Sequence, residues 1–119
     1  MKADVTAKGA VLLGRYVACD AFDGSMPLRV VTHVHADHMV GLRRSLVSCE
    51  KVLMTEATKD LIDVMRGPLF LMSGCVETLG YGESLQYEEE RVTFFRADHV
   101  LGAAQVFVED AEGTRIVFT

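Results

Sequence analysis

Apolar residues between Val11 and Val31 come in short bursts broken by glycine and acids, a rhythm that predicts strands and no long helix. Residues 9–20, GAVLLGRYVACD, read as two short strands turning at Gly14, and residues 28–32, LRVVT, as a buried strand. Over 38–47 the period lengthens: Met39, Leu42 and Leu46 share one helical stripe. His38 would then sit at the helix start, where backbone N–H groups can hold an anion. A second strand–helix unit follows. Residues 51–54 form the strand, Thr55 caps, and a helix runs from Glu56 to Arg66 before Gly67-Pro68 stops it. Leu61, Ile62 and Met65 are its expected core face. From Leu69 the pattern predicts strands at 69–72, 75–79, 84–87, 91–96, 103–109 and 114–118, punctuated by Gly74, Gly80-Tyr81-Gly82, Gly102 and the 110–113 turn. The class is mixed α/β (α+β), with two main helices and a mixed sheet.

Composition adds bounds to this picture. The chain has 119 residues, half of them hydrophobic, which is ample for one buried core. No apolar run approaches the roughly 18 to 20 residues of a membrane span, and the early acid Asp4 is unlike a signal peptide, so the expected location is the cytoplasm. Cys19, Cys49 and Cys75 are odd in number and lack C-x-x-C spacing, which points to small core residues. The net charge is −5 and Arg43-Arg44 is the only adjacent basic pair, so this segment is not expected to grip a phosphate backbone by itself. Both arginines read as a solvated helix face, and Glu88-Glu89-Glu90 as a solvated loop.

Chemistry concentrates in Thr32-His33-Val34-His35-Ala36-Asp37-His38, which holds three of the four histidines. His33 and His35 are two apart at the end of an apolar run and project from one face of an extended segment. Asp37 and His38 follow after the strand should have ended, so the backbone can aim them at the same point from another side. Imidazole nitrogen and carboxylate oxygen together suit zinc, and also iron or manganese. The 91–96 strand delivers the remaining histidine, His99, to the same constellation. His33, His35 and His99 then form the face of one ion, and Asp37 with His38 the start of a second. Asp20, at the end of an early strand, is the candidate buttress, because a metal-bound histidine usually gives its other N–H to a carboxylate or carbonyl. An ordinary turn role beside Asp23-Gly24-Ser25 is the competing reading.

HVHADH resembles the HxHxDH signature of the metallo-β-lactamase fold hydrolases. Thr-His before it, Met39-Val40-Gly41-Leu42 after it, MTEATKDL at 54–61 and ADHVLGAAQVFVE at 97–109 are similar to that superfamily's nucleic-acid-processing branch: cleavage and polyadenylation endonucleases, RNase J and RNA-processing exonucleases of archaea and bacteria. Asp98 departs from the glycine usual before the matching histidine. The resemblance spans residues 11–119 but only the first part of the family's catalytic domain. It implies the N-terminal portion of an αββα sandwich, with residues 1–119 a partial domain lacking the C-terminal half and any cap domain. The aspartate that bridges two ions and the later histidine that completes the second ion would lie in the missing half.

The function the resemblance implies is metal-dependent hydrolysis of phosphodiester bonds in RNA, or DNA, by a metal-activated hydroxide. Asp37 would hold metal and orient the attacking water, zinc would be the cofactor as one or two ions, and RNA the favoured partner. The chain alone is expected to be inactive, with its sheet face or its 114–118 edge open to self-association. The alternatives are hydrolysis of a small ester, thioester or lactam, and a noncatalytic metal-binding or assembly module.

Overall fold

Two apolar faces alternate along the central strands, and this alternation decides the architecture. In the computed structural model, which describes residues 1–119, Leu28 and Val30 of one strand face one core while Val31, just beyond its end, faces another. In the neighbouring strand Leu53 faces the first core, and Val52 and Met54 face the second. Strands buried on both faces in this way need a layer on each side.

The first sheet contains β1 (Ala3–Val5), β2 (Val11–Leu13), β3 (Val17–Cys19), β4 (Leu28–Val30), β5 (Lys51–Met54) and β6 (Val76–Thr78), in that spatial order. β1, β2 and β3 pair antiparallel, and β3 to β6 are parallel. The second sheet is antiparallel in the order β10 (Arg115–Phe118), β9 (Ala104–Glu109), β8 (Glu90–Arg96), β7 (Ser84–Tyr87). A core of 12 residues, among them Leu28, Val30, Leu53, Phe94, Val106 and Val108, lies between the sheets. A second core of 8, including Val31, Leu42, Val52, Met54 and Ile62, lies under α1 (Leu42–Ser48) and α2 (Glu56–Arg66). The layers run helix, sheet, sheet.

Most elements fall where the hydrophobic pattern places them, and the departures have physical causes. β1 was not expected. The helix expected over 38–47 begins only at Leu42: residues 36–38 form a 3-10 turn, and Gly41 precedes α1 with φ +69. A Cβ on Gly41 would meet Phe22 Cβ at 2.6 Å, so close packing and positive φ both demand glycine there. The helix-terminus anion reading for His38 fails with it. Residues 69–72 form turns and no strand, because Gly67-Pro68 ends α2 and the chain must reverse before β6; Leu69 and Met72 stand in solvent. Met65 is also exposed, and α2 packs through Thr58 and Ile62. The acidic run is not simply solvated, since the buried Glu90 carboxylate accepts the Arg15 N–H at 3.1 Å. Arg43 and Arg44 are exposed and all three cysteines are free, as expected. No helix is long and apolar enough to cross a membrane.

Candidate metal centre

The parallel strands β3, β4 and β5 all point their C-terminal ends the same way, and that end collects the chemistry. Asp20 follows β3, Thr32 to His38 follow β4, and Thr55 follows β5. In open α/β sheets this carboxyl end is where ligands bind. The β8–β9 loop of the second sheet brings His99 to the same place.

His33, His35 and His99 stand edge to face around one point. Their ring centroids are 4.6 to 4.8 Å apart at interplanar angles of 81° to 89°. One ring nitrogen from each lies within 4.8 Å of the others, and His35 Nδ1 is 3.3 Å from His99 Nε2. Two imidazole nitrogens bound tetrahedrally to one zinc at about 2.0 to 2.1 Å would be separated by about 3.3 Å. The donor set fits a divalent transition ion: three imidazoles converge, beside a cleft of about 440 Å3 that the histidines line.

Hydrogen bonding fixes which nitrogens are free. Asp20 is buried and in the left-handed region at φ +67, a conformation that Asp tolerates better than most residues. Its Oδ1 accepts the Thr32 N–H at 2.9 Å, and its Oδ2 accepts the Thr32 hydroxyl at 2.7 Å. With that hydroxyl proton committed, Thr32 Oγ1 can only accept at 2.9 Å from His33 Nδ1–H, which leaves His33 Nε2 as a bare lone pair. Asp20 Oδ2 also takes His38 Nδ1–H at 2.9 Å. One carboxylate therefore sets the tautomers of two histidines, His38 directly and His33 through Thr32. Burial, and secondarily the nearby His38, pushes the His33 pKa down, with Asp20 opposing, a direction that favours the neutral ring.

Asp37 lies apart from the three-histidine cluster. Its side chain is 79% exposed and its Oδ2 is 3.5 Å from His38 Nε2, so these two residues form a loose pair at the mouth. Asp20, His33 and His38 also bring donor atoms within 4.8 Å of one another. Both Asp20 oxygens are already engaged by the Thr32 N–H, the Thr32 hydroxyl and the His38 Nδ1–H. Asp98 borders the histidine cleft and an adjoining one of about 650 Å3, which Arg96 also lines.

Sequence reasoning missed Arg29. It is fully buried on the helix side of β4 and donates to Val40 O at 2.9 Å, His38 O at 3.2 Å and Ser45 Oγ at 3.1 Å. Burial pulls its pKa down, an effect the Asp20 charge opposes. This guanidinium ties the segment after the histidine motif to α1. The available signal was an arginine inside an otherwise apolar strand.

The helix, sheet, sheet layering and this strand order are those of the N-terminal portion of the metallo-β-lactamase fold. The chain is similar to a metallo-β-lactamase from Cronobacter sakazakii (TM-score 0.72, 15% identity, 93% of this chain and 56% of that one). It is also similar to Igni18, a metallo hydrolase from the archaeon Ignicoccus hospitalis (TM-score 0.58, 13% identity, 86% of this chain and 52% of that one). A third similar structure is the zinc-bound PqqB from Methylobacterium extorquens (TM-score 0.57, 17% identity, 78% of this chain and 33% of that one). The chain thus spans little more than half the length of the first of these structures. Neither a protein-family model nor a curated protein sequence matches it.

Proposed function

We propose that the chain carries the first metal site of a metal-dependent hydrolase, and that the whole enzyme cleaves phosphodiester bonds in nucleic acid, RNA in preference to DNA. The observation that carries the hydrolase reading is the convergence of His33, His35 and His99 on one point, with the His35 and His99 nitrogens 3.3 Å apart. Zinc is the ion this imidazole set suits best, with manganese or iron as the other candidates. When bound, such an ion supplies acidification of water near neutral pH and neutralisation of charge on phosphoryl oxygens.

The protein's own groups do the rest. Asp20 and Thr32 keep the His33 ring turned toward the ion, and Asp37, exposed beside His38, offers a carboxylate that can accept the proton of the attacking water. Support for nucleic acid as substrate comes from the sequence around the site: MTEATKDL and ADHVLGAAQVFVE resemble the nucleic-acid-processing branch. Arg96 lines the adjoining cleft and offers a counter-charge to an anionic substrate, against the acid Asp98 on the same wall.

Hydrolysis of a lactam is the second reading, favoured by the fold shared with the Cronobacter sakazakii metallo-β-lactamase. Residues 1–119 alone would hold one ion and not turn over substrate, since Asp37 and His38 make a poor second site without further ligands. Elemental analysis of metal per chain, with His33→Ala beside it, tests the site. One ion per chain, lost in the variant, is expected; no ion even when zinc is offered would overturn the reading. A single-stranded RNA ladder set against a chromogenic lactam and a thioester, each offered to the whole enzyme, separates the substrate classes.

A further inference from the structure

The loop that carries His99 is seated by two hydroxyls that the hydrolase reading does not use. Thr55 and Thr58, at the start of α2, are 5% and 0% exposed. Thr55 Oγ1 donates to Gly102 O at 2.8 Å, and Thr58 Oγ1 donates to the same oxygen at 3.1 Å. Both hydroxyls thus lie within hydrogen-bond distance of one carbonyl. Helix capping accounts for Thr55, which accepts the Thr58 N–H at 3.2 Å and whose Oγ1 lies 3.1 Å from the Thr58 hydroxyl, but it does not require the further bond from that hydroxyl to Gly102 O.

The fit at this contact allows no slack. Gly102 has φ +84, and a Cβ there would lie 2.6 Å from Thr58 Oγ1 and 2.7 Å from Thr58 N. The loop between β8 and β9 is closed on itself, with His99 N–H donating to Ala97 O, Ala103 N–H to Val100 O and Ala97 N–H to Ala103 O. Its own side chains hold it little, for Asp98, His99 and Leu101 are all exposed, and beyond the two threonines it is fastened by the Tyr81 hydroxyl donating to Ala103 O at 2.8 Å and by Ala104 N–H donating to Thr32 O at 2.9 Å. A shift at Gly102 therefore carries His99 with it. His33 and His35 come from the first sheet and His99 from the second, so the nitrogen spacing depends on how this loop is fastened to the first sheet's side.

We propose that Thr55 and Thr58 are positioning residues that set the His99 imidazole against His33 and His35, and thereby the site's affinity for a divalent ion. The inference rests on the metal-centre reading above. A ligand constellation must be held to within about 0.5 Å to bind productively, and hydroxyls clamping the loop backbone supply that restraint.

The test uses Thr58→Val, which keeps shape and loses the hydroxyl, and Thr58→Ser, which keeps the hydroxyl and loses the methyl. Zinc affinity, read by competition with a chromophoric chelator, should fall about 10-fold to 100-fold in Thr58→Val, the loss typical of partners that orient a ligand, and recover in Thr58→Ser. In a His99→Ala background Thr58→Val should change affinity by less than about twofold, because the histidine it positions is gone. Amide exchange of residues 97–103 in metal-free protein should quicken in Thr58→Val and not in Thr58→Ser. Equal loss in both variants, or full loss persisting without His99, would make the effect one of packing and overturn the proposal. If the unaltered protein binds no zinc, the metal-centre reading and the affinity consequence fall together, while the exchange measurement still decides whether the hydroxyls hold the loop.

Discussion

The two ends of the first sheet both carry dense polar clusters, yet only one reads as a site. At the N-terminal ends of the parallel strands, Tyr16 donates its hydroxyl to Glu89 at 2.5 Å, Tyr87 donates to Glu50 at 2.6 Å, and the two rings pack edge to face at 5.0 Å. Glu90 accepts the Arg15 N–H. Both phenols and the Arg15 N–H meet carboxylates, and the cluster is a clasp joining the sheets. At the C-terminal ends three imidazoles carried by two different sheets converge on one point, with His35 Nδ1 and His99 Nε2 in contact at 3.3 Å. Polar density alone is no sign of function; several imidazole nitrogens gathered at one point beside an open cleft are a better one.

That contrast can be broken, starting with the largest effect. Removing His33 or His99 should lower zinc affinity by more than about 100-fold, beyond what loss of an orienting partner costs, with little effect on metal-free stability; calorimetric titration of each alanine variant with zinc checks both halves. Arg29→Ala empties a fully buried position and removes the donor to the His38 and Val40 carbonyls and to Ser45, and should cost about 2 to 5 kcal/mol in urea unfolding. Asp20→Asn keeps the shape but weakens charge-assisted bonds to Thr32 and His38. It should cost about 2 to 3 kcal/mol and lower zinc affinity about 10-fold, a double loss that a purely structural carboxylate would not give.

At the clasp the expected change is smaller and spectroscopic. The hydrogen bond to Glu50 pushes the Tyr87 pKa up to about 12. Because the folded value is raised, the stability this phenol contributes is present below its ordinary value near 10 and is lost as pH climbs through about 12. Ultraviolet titration should show Tyr16 and Tyr87 both ionising late, Tyr16 because of its hydrogen bond to Glu89, and Glu50→Gln should bring Tyr87 alone back toward 10 without altering metal binding. A Glu50→Gln variant that bound zinc poorly would erase the distinction between the two ends.

What the sequence made legible was the chemistry that depends on local spacing. His33 and His35 two apart after an apolar run, and Thr55 ahead of an amphipathic stretch, state their geometry within a few residues. The rest depended on contacts between distant segments. Nothing near Met39 announces that Arg29, ten residues earlier, takes the His38 and Val40 carbonyls and delays the helix to Leu42. Leu69 to Met72 looked like a strand because apolar residues were assumed to be buried, and Leu69 and Met72 are not. Glu90 sits inside an acidic run, and only the approach of Arg15 from the far end of the chain gives it a buried role. The seating of Gly102 on Thr55 and Thr58 was invisible for the same reason.

The alternation in β4 has a further consequence, for the fidelity of strand pairing. Cys19, Val30 and Leu53 form one cross-strand row facing the second sheet, and Ala18, Arg29 and Val52 the next row, facing the helices. A slip of one residue would thrust the Arg29 guanidinium among Phe94 and Val106 and strip it of every carbonyl it now serves. It would also turn Thr32 away from Asp20, and His33 with it. A single charge in an apolar strand thus acts as a registration pin: the pairing that leaves Arg29 solvated by protein is the same pairing that brings the histidines together.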